Sequence, residues 1–182
     1  VTLSTDGAAA AAPPAGNIQV SLNGAALANG SGSFAHTAAG QFYYEATLTE
    51  ASTAGFLAVY FSRTGFTTRI ASTSVGPIFS VGETNVALLR LAMTIFDDGS
   101  PPLLASGATA SGSELTLSHD GQAYSASGTL VEVTGGGAGL YYYQGVAADA
   151  VAEGTIVVKY EKTGFSTTIS EQSVEGSSGP PG

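Results

Sequence analysis

Histidines and carboxylates are the residues with which this 182-residue sequence could build acid–base or metal chemistry. The two histidines, His36 and His119, fall at different positions of the internal repeat described below, so a paired site would require distant segments to converge. We expect each to be a strand residue with a partly exposed ring. Asp97-Asp98-Gly99 and Thr5-Asp6-Gly7 place acids at strand ends, where calcium could bind, but calcium takes six to eight oxygen ligands. The local sequence supplies far fewer, which favours an Asp-Gly turn.

Motifs for nucleophilic, phosphate or zinc chemistry are missing from the sequence. It contains no G-x-S-x-G elbow, no G-x-x-x-x-G-K-[ST] loop and no H-E-x-x-H pair. The glycine-rich run "GGGAG" (135–139) joins two predicted strands and opens no helix, so it lacks the amides and dipole that bind phosphate. We therefore predict a protein that is not an enzyme and that holds no cofactor and no metal.

Tyrosines are the remaining candidates for binding. Tyr141, Tyr142 and Tyr143 are consecutive, so at least one ring must face away from the core of a strand, and the same holds for Tyr43. An exposed tyrosine can anchor a protein interface or stack on a sugar ring. Sandwich domains also use tyrosines to bond a corner of their own backbone, and this structural role is favoured. Tyr43 and Tyr142 are the candidate interface or glycan contacts.

Composition narrows the classes of partner. The formal net charge is −9 with five Lys plus Arg, which disfavours nucleic acid. The most apolar run, "VALLRLAMTIF" (86–96), contains Arg90 and is shorter than the ~20 residues of a membrane helix, so we expect no membrane insertion. The chain has no cysteine, which excludes disulfides and thiolate zinc sites. Charged residues make up 10 %, against roughly 25 % in ordinary domains, which favours burial in an assembly or an extracellular location.

An internal repeat organises the chain. The stretches "RTGFTTRIASTSV" (63–75) and "KTGFSTTISEQSV" (162–174) correspond at an offset of 99 residues, and the match runs without a gap from Gly40/Gly139 to Val75/Val174. Upstream it resumes with small offsets, in "IQVSLNG" against "LTLSHDG" and in "VTLSTDG" (1–7) against "MTIFDDG" (93–99). The sequence therefore predicts two copies of one module.

Period-2 alternation predicts strands in both copies. In copy one, Phe42, Tyr44, Ala46 and Leu48 share one face, and Leu57, Val59 and Phe61 share one face of the next strand. Their counterparts in copy two include Ile156, Val158 and Tyr160. The opposite faces, with Ala58 and Tyr60 in copy one and Val157 and Lys159 in copy two, are predicted to lie at the surface.

Turn residues separate the strands. Asn23-Gly24 and Asp120-Gly121 predict two-residue hairpin turns, and 49–55 and 148–154 could each form one helical turn. The predicted strands are 1–6, 17–22, 32–37, 41–48, 56–62 and 66–75 in copy one, and 86–97, 113–119, 129–134, 140–147, 155–161 and 165–174 in copy two. In the predicted strand 86–97, Ala87, Leu89, Leu91, Met93 and Ile95 are expected to point inward.

Six or seven short strands in just under about 100 residues are typical of an immunoglobulin-like sandwich. We therefore predict an all-β chain of two tandem immunoglobulin-like β-sandwich modules from an internal duplication: residues 1–78, a short joint at 79–85, residues 86–176, and a flexible Gly/Pro/Ser tail at 177–182. Val1 is not an initiator methionine and no signal peptide is present, so we interpret the sequence as a fragment or a processed product.

The pattern "DDGSPPL…LTLSHDGQAYSA…GLYYYQGVAADAVAEGTIVVKYEKTGF" resembles the immunoglobulin-like modules of tailed-bacteriophage virion proteins, in baseplate, neck, tail and fibre components. The shared features are an opening strand ending in Asp-Gly, an S-x-D-G hairpin, a G-x-Y-Y strand and an acid-Ala-x-x-x-G turn. The likeness covers 93–174 well and 1–75 less well. It implies structural spacers, attachment elements or decoration elements without catalysis.

We therefore expect a non-enzymatic bacteriophage virion structural protein, with other virion proteins as partners, a homo-oligomeric state and a location in the virion. The alternative is a bacterial cell-surface adhesin or carbohydrate-binding β-module, located outside the cell, that binds a host-surface glycan through exposed tyrosines. Sugar binding that is lost both in Tyr43→Ala and in Tyr142→Ala would favour the alternative.

Overall fold

The computed structural model describes residues 4–5, 8–9, 17–38, 41–64, 66, 68–76, 79–85, 88–126, 128–135 and 138–176. Within these ranges the chain contains sixteen β-strands, two short 3₁₀ turns and no α-helix. The prediction of an all-β chain is confirmed. The predicted tail 177–182 lies outside the described residues.

The strands follow the predicted order closely. In the N-terminal half they are β1 Ser4–Thr5, β2 Ala8–Ala9, β3 Asn17–Leu22, β4 Ala28–Asn29, β5 Ser33–Ala38, β6 Gln41–Glu45, β7 Gly55–Ser62 and β8 Arg69–Val75. In the C-terminal half they are β9 Phe79–Ser80, β10 Arg90–Thr94, β11 Leu115–His119, β12 Ser125–Ala126, β13 Thr129–Glu132, β14 Leu140–Gln144, β15 Gly154–Tyr160 and β16 Thr168–Glu175. The two-residue strands β2, β4, β9 and β12 were not predicted, because two residues are too few to show alternation.

Two sheets enclose the core of the C-terminal half. One has the strand order β10-β14-β13, and the other has the order β12-β11-β15-β16-β9. All neighbours are antiparallel except β16 and β9, which are parallel. The side chains that fill the space between the sheets belong to one buried cluster: Leu89, Leu91, Met93, Ile95, Leu115, Leu117, Tyr141, Tyr143, Ile156, Val158 and Tyr160. The predicted inward residues of β10 and β15 are therefore confirmed where the structure describes them.

Besides the short antiparallel pair β1-β2, two further sheets form the described part of the N-terminal half. They have the orders β4-β3-β7-β8 and β5-β6, and all pairs are antiparallel. Aromatic rings join them, since Phe34 stacks on Phe42 at 5.3 Å and on Phe61 at 5.6 Å between ring centroids. Phe66 meets Phe61 edge-on at 5.9 Å. Leu48, which alternation placed with Phe42 on the inner face, is instead 91 % exposed because the strand ends at Glu45 and a turn follows.

Strand pairing is the same in corresponding parts of the two halves. The pairs β3–β7, β7–β8 and β5–β6 correspond to β11–β15, β15–β16 and β13–β14. The segment 79–85, which we expected to be a joint, contributes β9 to the five-stranded sheet, with Phe79 opposite Val174. Phe79 is fully buried, so its apolar ring holds the segment in the core of the C-terminal half.

The two predicted hairpin turns share one local design. Asn23 and Asp120 have φ of 50° and 47°, and the glycines that follow have φ of 75° and 73°, as a two-residue turn requires. The Asn23 Oδ1 accepts a hydrogen bond from Phe56 N at 2.8 Å, and the Asp120 Oδ1 accepts one from Thr155 N at 2.6 Å. Each side chain therefore ties its hairpin to the start of β7 or β15.

Candidate functional site

Strand β7 is buried on both of its faces. Leu57 and Phe61 are 4 % and 2 % exposed and face the N-terminal core, as predicted. The prediction that Ala58 and Tyr60 lie at the surface is wrong, since they are 0 % and 7 % exposed. They belong to the same buried cluster as the core of the C-terminal half, which covers this face.

Tyr142, one of the two predicted contact residues, lies in this interface between the halves. Its ring faces away from the core of its own half, yet it is only 8 % exposed. The ring centroid lies 6.1 Å from that of Phe56, and the Arg90 guanidinium carbon lies 4.9 Å from the centroid on the ring's face. A Cβ on Gly24 would lie 2.2 Å from a Tyr142 ring atom, so the hairpin can approach this closely only because residue 24 is glycine. Tyr142 therefore contacts the N-terminal half of its own chain.

Polar contacts fix the position of one half against the other. Arg90 donates through a terminal N–H to the Asn23 carbonyl and through Nε to Gln144 Oε1 at 2.8 Å. Leu27 N donates to Thr134 O at 2.8 Å. Because its N–H groups are hydrogen-bonded, the Arg90 guanidinium can be half-buried beside the Tyr142 ring. This explains why a cation occurs within the apolar segment 86–96.

Tyr43, the other predicted contact residue, is the repeat counterpart of Tyr142 but lies in a different environment. It is 46 % exposed on β6. The structure does not bring the two tyrosines together, and of the two only Tyr43 offers an accessible ring for a partner or a sugar.

The tyrosines next to them occupy corresponding corners, where Tyr143 is buried and Tyr44 is half-buried. The Tyr44 hydroxyl donates to Glu50 Oε1 at 2.7 Å and accepts from Gly32 N at 2.7 Å. Tyr143 donates to Asp149 Oδ2, also at 2.7 Å. This agrees with the favoured interpretation that repeat tyrosines bond a corner of their own module.

Glu50 and Asp149 each close the helical turn predicted ahead of the next strand. The Glu50 carboxylate accepts from Thr47 N at 2.8 Å and from Ser31 N at 2.9 Å, and Asp149 Oδ2 accepts from Val146 N at 2.8 Å. Burial of Glu50 disfavours its charge, but these backbone donors and the Tyr44 hydroxyl outweigh burial and lower its pKa to about 2. Burial, together with the nearby Glu50 carboxylate, raises the pKa of Tyr44 to about 12.

The histidines and acidic turns have local structural roles where the structure describes them. His119 is a half-buried residue of β11 whose Nε2 lies 3.1 Å from Ala152 O. His36 lies in β5, and its side chain is outside the described part of the structure. Asp97 Oδ1 accepts hydrogen bonds from Gly99 N at 3.2 Å and Leu103 N at 2.8 Å, as expected of an Asp-Gly turn.

The described residues contain neither a metal-binding cluster nor a membrane-spanning helix. Among them, no group of three or more His, Asp or Glu side chains is placed to hold a metal ion. No helix within the same ranges is long and apolar enough to cross a bilayer.

An apolar cavity of about 230 Å³ opens beside β6 in the N-terminal half. The lining includes Phe34, Tyr44, Leu57, Val59, Phe61 and Ala71. Tyr43 lies at the same opening. The cavity is therefore flanked by the exposed tyrosine that the sequence pointed to, although the cavity itself was not predicted.

Comparison with protein-family models, with curated proteins and with solved structures finds no match to this chain.

Four residues of the interface were not predicted from the sequence: Phe56, Ala58, Tyr60 and Arg90. A signal was present in the difference between the copies, because copy one has Phe, Ala and Tyr where copy two has Thr155, Val157 and Lys159. An outer strand face that is more apolar in one copy than in the other indicates that only one of them is covered.

Proposed function

We propose that this chain is a non-enzymatic structural protein of a bacteriophage virion, a tail, neck, fibre or capsid decoration component. Two immunoglobulin-like modules would act as a spacer and an attachment element for other virion proteins and for the host. Homo-oligomeric assembly belongs to the same proposal, because virion components are built on symmetric rings and trimers.

Strand order supports the immunoglobulin-like part of the proposal. In the C-terminal half, the sheet β10-β14-β13 faces the sheet β12-β11-β15-β16-β9. The order β10-β14-β13 matches strands B, E and D of an immunoglobulin domain. The order β11-β15-β16 matches strands C, F and G, and β12 lies where an added C′ strand would be. The repeat and the shared pairs support the same design for the N-terminal half.

The observation that carries the spacer role is the burial of β7 on both faces. Two domains of one chain ordinarily move relative to each other unless a large apolar interface joins them. Here Phe56, Ala58 and Tyr60 are all buried, and they belong to the same apolar cluster as the core of the C-terminal half. A unit held this way keeps a fixed length and orientation, which suits an element that positions other proteins.

The proposal can be tested on particles. Particles of a phage that carries the gene would be purified from a lysate of its host. The chain would then be detected in them by antibody labelling and by peptide mass spectrometry. We expect it to co-purify with particles and to account for two-lobed density at symmetric positions in electron cryo-microscopy. Its absence from purified particles, with soluble chain left in the lysate, would contradict the proposal.

Exposure of Tyr43 favours the second candidate, a bacterial surface adhesin or carbohydrate-binding module. A glycan array separates the two functions, with Tyr43→Ala as the test variant and Tyr124→Ala, at a second exposed tyrosine, as the control. Binding that is lost only in Tyr43→Ala would support the adhesin. Tyr142→Ala is less informative here because its ring is buried between the halves.

A further inference from the structure

Two Asn-Gly pairs occur in the chain, Asn23-Gly24 and Asn29-Gly30. Asparagine is chemically labile before glycine, because glycine has no side chain to hinder attack by its own amide nitrogen on the asparagine side chain. The structure holds the two pairs differently. Asn29 lies at the end of β4 with an exposed side chain, whereas Asn23 is half-buried and contacts Arg90 of the C-terminal half.

The side-chain amide of Asn23 is fixed at both of its polar atoms by the start of β7. Oδ1 accepts a hydrogen bond from Phe56 N at 2.8 Å, and Nδ2 donates one to Ala54 O, also at 2.8 Å. Gly55 leaves room for the amide, since a Cβ at this position would lie 1.6 Å from Asn23 Oδ1. The carbon Cγ therefore cannot turn toward Gly24 N unless both hydrogen bonds break.

The peptide group between Asn23 and Gly24 is fixed from the other side, by the C-terminal half. Arg90 donates a terminal N–H to the Asn23 carbonyl. The Tyr142 ring packs against Gly24 so closely that a Cβ on Gly24 would lie 2.2 Å from a ring atom. Attack by Gly24 N on Cγ requires this peptide group to rotate. Arg90 and Tyr142 oppose the rotation for as long as the two halves are in contact.

We propose that Asn23 is a deamidation site that is protected by the contact between the two halves. When the interface opens, Gly24 N loses its proton to water and attacks Asn23 Cγ. The N–Cγ bond forms and the Cγ–Nδ2 bond breaks, and the departing nitrogen takes up a proton from water and leaves as ammonia. Water then opens the cyclic imide at one of its two carbonyls, which gives aspartate or isoaspartate at position 23. The inference goes beyond the proposed function, since the reaction does not depend on what the chain binds.

The product of this reaction does not fit the present contacts of Asn23. Aspartate places a carboxylate oxygen where Nδ2 donates to Ala54 O, so two acceptors would face each other at 2.8 Å. The C-terminal half has Asp120 at this repeat position, and there the Oδ2 lies 3.5 Å from His119 Nδ1. Copy one has Leu22 at the position of His119, and leucine has no side-chain donor. Deamidation of Asn23 therefore weakens the interface, and the change is irreversible.

The first test compares the two asparagines in the full chain. The chain is incubated at mildly alkaline pH, and tandem mass spectrometry of proteolytic peptides follows the replacement of NH₂ by OH at each position. The rate in the folded chain is divided by the rate in the urea-unfolded chain. We expect Asn23 to be protected at least about ten-fold more than Asn29, because only Asn23 requires the interface to open. Equal protection of the two asparagines overturns the proposal.

The second test asks whether the C-terminal half provides the protection. Arg90→Met removes the bond to the Asn23 carbonyl but keeps an unbranched side chain beside Tyr142. We expect the rate at Asn23 to rise about ten-fold, as for the loss of one charge-assisted hydrogen bond, and the rate at Asn29 to stay the same.

A matched control exists within the N-terminal half. Arg63→Met also removes a guanidinium from the face of an aromatic ring, since the Arg63 guanidinium carbon lies 5.5 Å from the centroid of Phe66. Arg63 is exposed, and Phe66 packs against the core of the N-terminal half, so the rate at Asn23 should not change. An equal rise in the two variants overturns the proposal.

The fold of Arg90→Met is checked by circular dichroism. A folded variant with the parent's rate at Asn23 overturns the proposal, because the bonds to β7 would then protect the amide by themselves. If the variant does not fold, Arg90→Lys replaces it, since lysine keeps the charge but not the forked donors of arginine. Arg90→Lys should give a smaller rise, and an unchanged rate at Asn23 would again overturn the proposal.

The third test examines the product. Asn23→Asp should have a lower thermal midpoint than Asn29→Asp, which makes the same change at an exposed position. Equal midpoints would overturn the inference that deamidation of Asn23 weakens the interface.

Discussion

The guanidinium of Arg90 lies over the ring of Tyr142, 4.9 Å from its centroid, and the two side chains meet the hairpin at Asn23-Gly24. Both project from the outer face of their sheet. The C-terminal half thus uses an outer face, and not its core, to hold the N-terminal half.

Tyr142→Ala should destabilise the chain strongly. Removing a buried aromatic ring costs about 3–5 kcal/mol, and here the cation–π contact with Arg90 is lost as well. Urea unfolding followed by circular dichroism measures the change. The control is Tyr43→Ala, the repeat counterpart with an exposed ring, which should cost less than about 1 kcal/mol. Similar losses in the two variants would contradict the interface.

Gly24→Ala tests the close approach of the hairpin to Tyr142. Gly24 and Gly121 have nearly the same φ, 75° and 73°, so alanine costs each about 1 kcal/mol in backbone conformation. A Cβ on Gly24 would also lie 2.2 Å from the Tyr142 ring, whereas one on Gly121 would meet nothing within 4 Å. We expect Gly24→Ala to have the lower thermal midpoint of the two. Equal midpoints of the two variants would mean that the hairpin can move away from Tyr142 without loss of stability.

Glu50→Gln should weaken the N-terminal corner and change the acid response. The pKa of Glu50 is lowered to about 2, so its charged form stabilises the fold above about pH 4.5, and this contribution is lost as pH falls toward 2. The variant should be less stable at pH 7, because it loses charge-assisted bonds from backbone donors, and should lose less stability than the parent between pH 4.5 and 2. Urea midpoints across this range measure both effects. Glu171→Gln, at an exposed position of β16, is the control.

Val59→Ala and Val158→Ala compare the two cores at one repeat position. Val158 is fully buried, so its truncation should cost about 2–3 kcal/mol. Val59 is half-buried beside the cavity, so its truncation should cost about 1 kcal/mol. Chemical denaturation of the full chain measures both. A larger loss at Val59 would show that the N-terminal core is closed in solution.

Much of the fold could be predicted because the sequence contains two copies of the same module. Where the alternation was ambiguous in one copy, the other copy showed it. In β11, for example, His119 stands at the position that Leu22 occupies in β3. The turns at Asn23 and Asp120 followed from local chemistry alone, since few residues adopt positive φ.

The interface between the two halves could not be predicted from the pattern of any single strand. Alternation along β7 predicts which residues share a face, but not what covers that face. Ala58 and Tyr60 are compatible with either solvent or a second protein layer. The cavity escaped prediction for a similar reason, because it depends on how many strands complete the sheet that contains β6.

The double burial of β7 links the unfolding of the two halves. If the C-terminal half were to melt first, Phe56, Ala58 and Tyr60 would lose their cover, and an apolar strip would face water. An isolated N-terminal half would therefore be prone to self-association. Selection acting on the whole chain would tie substitutions at residues 56, 58 and 60 to compensating changes around residue 142.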